Sequence, residues 1–206
     1  MSLKKQTLWS MAPLLVVTVV NLFSVPMFYH SLGPERYALW FYVLSFSGSF
    51  GFMDLGLGVA VGRYMGVALG RGDQAAVRGY WATGHAIALP LLGSMALVFT
   101  GIGVWFGPKW FHIAPDQASM LQSSFVAGGV GLFLSYYGQF WNILSQAYLD
   151  FKFLSIVRIA ISLLQILPSL LIAYLTGNPF LIILWTTFTS GLQLLVYIRH
   201  ARKNYS

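Results

Sequence analysis

Five stretches of this chain contain no Asp, Glu, Lys or Arg: between Lys5 and Glu35, Arg36 and Asp54, Arg78 and Lys109, Asp116 and Asp150, and Arg158 and Arg199. An apolar helix needs about 20 residues to cross the ~30 Å hydrocarbon layer of a bilayer, and runs of this kind are what such helices are made of. The last stretch, residues 159–198, is long enough for two crossings and is divided by Gly177-Asn178-Pro179, a turn signal. The expectation is therefore an all-α integral membrane protein, a single bundle over residues 1–206 with spans near 8–29, 37–61, 80–106, 121–144, 153–174 and 179–198. Barrel strands would instead alternate apolar and polar residues in segments of about ten, a pattern these continuous runs lack. Composition agrees: 57% of residues are hydrophobic and 8% charged, where a soluble domain carries about 25% charged residues.

The charged residues that remain are unevenly placed. With a cytoplasmic N-terminus, the inner side collects Lys4, Lys5, Arg63, Arg71, Arg78, Lys152, Arg158, Arg199, Arg202 and Lys203, and the outer side keeps Arg36 and Lys109. Cytoplasmic loops carry the excess of Lys and Arg, so both termini are expected inside. The net charge of +7 then reports topology, and no nucleic-acid-binding pattern accompanies it. Lys4 and Lys5 precede an apolar run that reaches Tyr29 without a small-x-small cleavage site, so the first span reads as a retained anchor. The chain has no Cys, which removes disulfides and thiolate chemistry.

Small and polar residues recur on two helices. Gly58, Gly62, Gly66 and Gly70 form overlapping GxxxG steps, and Ser124, Gly128, Gly131, Ser135, Gly138, Asn142 and Ser145 form a continuous stripe. Each stripe reads either as a surface for close helix packing or as the wall of a polar cavity, the latter favoured locally by Gln139, Asn142 and Gln146. Pro13, Pro26, Pro90 and Pro168 fall inside spans, where each removes a backbone hydrogen bond. Asp54 and Arg158 lie at similar depth from the inner face. They either pair or share a wet cavity, or Arg158 snorkels to the headgroups while another Arg holds Asp54.

No enzyme is expected. His30, His85, His112 and His200 are scattered, without metal-ligand spacing or a carboxylate cluster. Arg71-Gly72-Asp73 spells an adhesion tripeptide but reads better as a helix stop followed by an Asp N-cap. The reading implies no cofactor, apart from a coupling cation that Asp54 would sense.

Three segments in order resemble the polysaccharide biosynthesis proteins, the O-antigen and repeat-unit flippases: Leu32-Gly33-Pro34-Glu35-Arg36-Tyr37-Ala38-Leu39-Trp40, Asp54-Leu55-Gly56-Leu57-Gly58-Val59-Ala60-Val61-Gly62-Arg63-Tyr64, and Gln146-Ala147-Tyr148-Leu149-Asp150-Phe151 followed by Val157-Arg158-Ile159. The block Asp54-Leu55-Gly56-Leu57-Gly58 is the most specific. The resemblance implies membership of the multidrug, oligosaccharidyl-lipid and polysaccharide exporter superfamily, whose members pair two six-helix lobes and carry polyprenyl-pyrophosphate-linked sugars across the bacterial inner membrane. The 206 residues match the N-terminal lobe, and the second lobe is absent from them. On that reading Arg158, Arg63, Asp54, Gln139 and Asn142 are the candidate substrate-binding residues. Gly58, Gly62, Gly66, Gly128, Gly131 and Gly138 are the candidate packing positions. The partners implied are the bilayer, a lipid-linked glycan and a second lobe or a second copy, with no nucleic acid. The alternatives are a multidrug exporter of the same superfamily and a non-transporting fragment or assembly partner.

Overall fold

The computed structural model describes residues 3–50 and 56–205, and side chains from residue 13 onward. Among the described residues the chain is helical, with no strand: α1 (Leu3–Ser49), α2 (Leu57–Gly70), α3 (Gln74–Trp105), α4 (Gly107–Trp110), α5 (Pro115–Ala147), α6 (Phe151–Thr176) and α7 (Pro179–Asn204). Five of these, α1, α3, α5, α6 and α7, are long and apolar enough to cross a membrane. Their outward faces carry exposed Leu15, Leu22, Leu97, Leu171, Phe188 and Leu195. An apolar exterior of this extent belongs in lipid, so the chain is a multi-pass membrane protein.

The first two expected spans meet without a loop. Helix α1 is broken at Gly33, whose φ of 74° and ψ of 167° lie in a region open to glycine and closed to residues with a Cβ. Pro34 then starts the next stretch, a position where its missing N–H costs nothing. The second expected span, 37–61, is not one continuous helix, because Gly56 stands in left-handed backbone immediately before α2. Gly56, at φ 72°, precedes α2 and supplies no side-chain cap. With 14 residues, α2 extends about 21 Å, short of a full crossing.

Caps at the other junctions follow the sequence. Asp73 Oδ1 accepts from Ala76 N–H at 2.9 Å and starts α3, so Gly70 to Asp73 is a helix stop and an N-cap. Asn178 Oδ1 accepts from Phe180 N–H at 3.0 Å at the start of α7, and Pro179 fills the first helical position.

Helix α5 is the hub and packs on α7, α3, α2 and α1. Its Phe125 is fully buried against Phe99 of α3 and Phe46 of α1, with ring centroids 5.2 and 5.8 Å away. Because α5 presents small residues, neighbours approach its backbone: Thr187 of α7 donates to Ala127 O at 2.9 Å. Gln122 of α5 donates to Val104 O of α3 at 3.1 Å. Such bonds replace hydration that lipid does not offer.

The loops gather at two ends. At one, Arg36 donates to Gly177 O at 3.1 Å and Gln117 to Glu35 at 3.4 Å, while Tyr42 stacks on Phe111 at 4.2 Å. At the other, the α5–α6 turn meets the end of α7 through Asp150 and His200. The second end carries Arg78, Lys152, Arg199, Arg202 and Lys203, whereas Arg36 and Lys109 lie at or near the first.

Candidate functional site

A cavity of about 540 Å³ opens between α2, α3 and α5. Its α2 wall is Val59, Gly62, Arg63 and Gly66, positions on one helical face, and its α5 wall is Tyr136, Gln139, Asn142, Ile143 and Gln146. Ala88 and Leu92 of α3 and Phe140 of α5 contribute apolar surface, and Leu149 and Phe151 border it at the α5–α6 turn. The glycines make it a cavity: a Cβ at Gly66 would meet nothing within 4 Å, and one at Gly62 would meet only Ile143 Cγ2 at 3.0 Å.

Among the described residues, the lining offers one cation and several neutral polar groups. Arg63 is exposed to the cavity, Gln139 and Gln146 are exposed, and Asn142 is half-buried. Asn142 Oδ1 is itself shielded and has no hydrogen-bond partner among the described residues. Leu57 and Gly58 bring the first turn of α2 to the wall, where unbonded N–H groups carry partial positive charge. No carboxylate lines the cavity among the described residues. An arginine fork, amides that both donate and accept, and a helix start together favour an anionic, hydroxyl-bearing group.

Of the residues expected from sequence, Arg63, Gln139 and Asn142 come together here. Arg158 does not. It is exposed on α6, its charge is felt at the Tyr197 hydroxyl of α7, and it does not line this cavity. Asp54 lies outside the described residues. The glycines divide as well. Gly58 and Gly62 border the cavity and Gly66 faces open space. On α5, a Cβ at Gly128 would meet Val43 at 2.9 Å, one at Gly131 would meet Thr187 Oγ1 at 2.7 Å, and one at Gly138 would lie 3.7 Å from Leu194.

Two features escaped the sequence. Gly129, beside the expected stripe, is the tighter contact: a Cβ there would overlap Thr100 Oγ1 and reach Ala96 O at 3.2 Å. The tandem Gly128-Gly129 was the available signal. His85 of α3 is hydrogen-bonded to the Tyr137 hydroxyl and enclosed by Trp81, Phe140 and Trp141 at centroid distances of 4.9 to 5.5 Å within this group. A single His without a spaced partner gave no cue to this cluster.

Compared with known proteins, the chain finds no matching family model, no matching curated protein and no matching solved structure.

Proposed function

We propose that this chain is one six-helix lobe, both termini cytoplasmic, of a transporter that moves a polyprenyl-pyrophosphate-linked oligosaccharide across the bacterial inner membrane. The observation that carries the reading is the cavity in which Arg63 stands among Gln139, Asn142 and Gln146. A pyrophosphate cannot cross hydrocarbon unaided. A guanidinium fork matches its oxygens with two parallel hydrogen bonds, and the amides suit sugar hydroxyls. The volume, about 540 Å³, falls within the range of ordinary ligand pockets, and the cation that lines it, Arg63, favours an anionic cargo over the cationic cargo of a multidrug exporter.

Alternating access needs two bundles that rock against each other. A second six-helix lobe, or a second copy of this chain, supplies the facing wall. The six-helix count follows from treating the broken α1 as two crossings, with α2 completing the second from the inner side. Arg63 is the principal anion-binding residue, Gln139 and Asn142 orient the head, and Asp54 responds to a coupling cation. Arg158 serves from outside this cavity, at the α6–α7 face.

The test is reconstitution of the chain with its facing lobe into liposomes, with a fluorescent polyprenyl-pyrophosphoryl disaccharide as probe. Arg63→Gln should lower the translocation rate about tenfold or more, the loss of one charge-assisted contact, with the melting temperature unchanged. Lys109→Gln, at the opposite end, should transport normally. Equal rates for the two variants would overturn the role of Arg63. Transport by a strictly monomeric species would overturn the two-bundle requirement.

A further inference from the structure

A second cavity, about 760 Å³, lies at the basic end of the bundle between the start of α3, the end of α5 and the end of α7. Arg78 and Arg202 approach it from separate helices, and Trp81, Trp141, Tyr148 and Tyr205 line it. No carboxylate lines it among the described residues. Arg78 is four residues into α3 and Arg202 two residues from the end of α7. Both therefore sit within about 6 Å of a helix end, at headgroup depth.

The walls are held rigidly. Tyr148 stacks on Tyr205 with centroids 4.3 Å apart, and the Tyr205 hydroxyl donates to Asp150 Oδ2 at 3.1 Å. Asp150, which does not line the cavity, also accepts from His200 Nε2 at 2.9 Å. Trp81 and Trp141 meet edge to face at 5.1 Å. The Trp141 indole N–H is buried and has no partner among the described residues.

We propose that this cavity binds the phosphate headgroup of an anionic phospholipid, with Arg78 and Arg202 as its charged ligands and the tryptophans and tyrosines as an interfacial collar. Two guanidinium groups offer planar donor pairs to one phosphate. Amphipathic aromatic rings favour the headgroup level, and basic pockets between helices at that depth suit anionic lipids. The site is separate from the Arg63 cavity, shares no residue with it, and stands whether or not the chain moves a glycan.

The full chain, purified in mild detergent and offered an equal mixture of phosphatidylglycerol and phosphatidylcholine, is read by native mass spectrometry. Preferential retention of phosphatidylglycerol is expected. Arg78→Gln with Arg202→Gln should weaken it roughly thirtyfold, about 1 kcal/mol for each basic residue. Lys152→Gln with Lys203→Gln, an equal charge loss at the same end, should weaken it less than about threefold. Arg78→Lys with Arg202→Lys keeps the charge, loses the fork and should fall between, which reads the same site should the glutamine pair fail to fold. Equal weakening by the two glutamine pairs, or equal retention of both lipids, would overturn the site. Binding of inorganic pyrophosphate in place of the lipid would overturn the lipid assignment.

Discussion

Helices α2 and α5 carry nearly the same small-residue signature and use it in opposite ways. On α5 the small residues let other helices in: Gly128, Gly129 and Gly131 meet α1, α3 and α7 at distances where a Cβ would clash. On α2, a Cβ at Gly62 would come within 3.0 Å of Ile143, but Gly66 and Gly70 meet nothing, and the face they share with Arg63 borders a cavity. The ends differ too. The turn that closes α5 is fastened by Asp150, His200 and Tyr205, whereas α2 begins at Gly56 without a side-chain cap. Close packing in lipid rests on van der Waals contact and a few interhelical bonds. One element is thus built to be fixed and the other to leave space, and glycine spacing alone does not distinguish them.

The largest effect should come from filling the α5 contacts. Gly129→Leu forces a branched side chain into Thr100 and the Ala96 carbonyl, and should destabilise by about 3 kcal/mol or prevent folding. Chemical unfolding in detergent measures it. A variant as stable as the parent would remove α5 as the packed hub. Gly131→Ala, which meets Thr187 Oγ1 at 2.7 Å, should cost about 1–3 kcal/mol by the same measurement.

The same change on α2 should have the opposite sign. Gly66→Ala places a methyl where nothing lies within 4 Å, so the gain in helix propensity should stabilise the chain by about 0.4–1 kcal/mol. Destabilisation comparable to that of Gly131→Ala would make the α2 face a packing surface after all.

The smallest effect concerns the fastened end of α5. Burial pushes the Tyr205 hydroxyl up to about 12, with the Ser145 contact opposing and the Asp150 charge adding to the rise. The neutral phenol is thereby favoured in the folded chain. Its contribution is complete below pH 10, the unfolded value, and is lost as pH rises from 10 toward 12. Tyr205→Phe should remove that part of the alkaline decline in melting temperature and leave stability above pH 10 less dependent on pH. An unchanged alkaline slope would contradict it.

Much of the bundle was legible in the sequence because lipid imposes simple demands. Charge-free runs marked the long helices, Asp73 and Asn178-Pro179 marked two helix starts, and the Lys and Arg pattern anticipated which loops share an end. The break at Gly56 was not legible, since it falls within a sequence as apolar as a span, apart from Asp54, where Gly56 looks like one more packing glycine. Arg63, Gln139 and Asn142 could be nominated singly, because polar groups in apolar runs are rare, but their convergence depends on how α2 crosses α5. The same rule points to Arg158, which does not line the cavity, because equal depth says nothing about azimuth around the bundle.

The contrast between the two glycine faces can be read directly in a chain that has no native Cys. Single cysteines at Gly66 and Gln139, on the cavity, and at Gly131 and Gly138, between α5 and α7, are challenged with a small membrane-impermeant thiol reagent applied to both sides of native membranes. The account predicts that Gly66→Cys and Gln139→Cys react readily, while Gly131→Cys and Gly138→Cys stay protected until the chain is unfolded. Protection of the two cavity positions as complete as that of the two packed ones would contradict it.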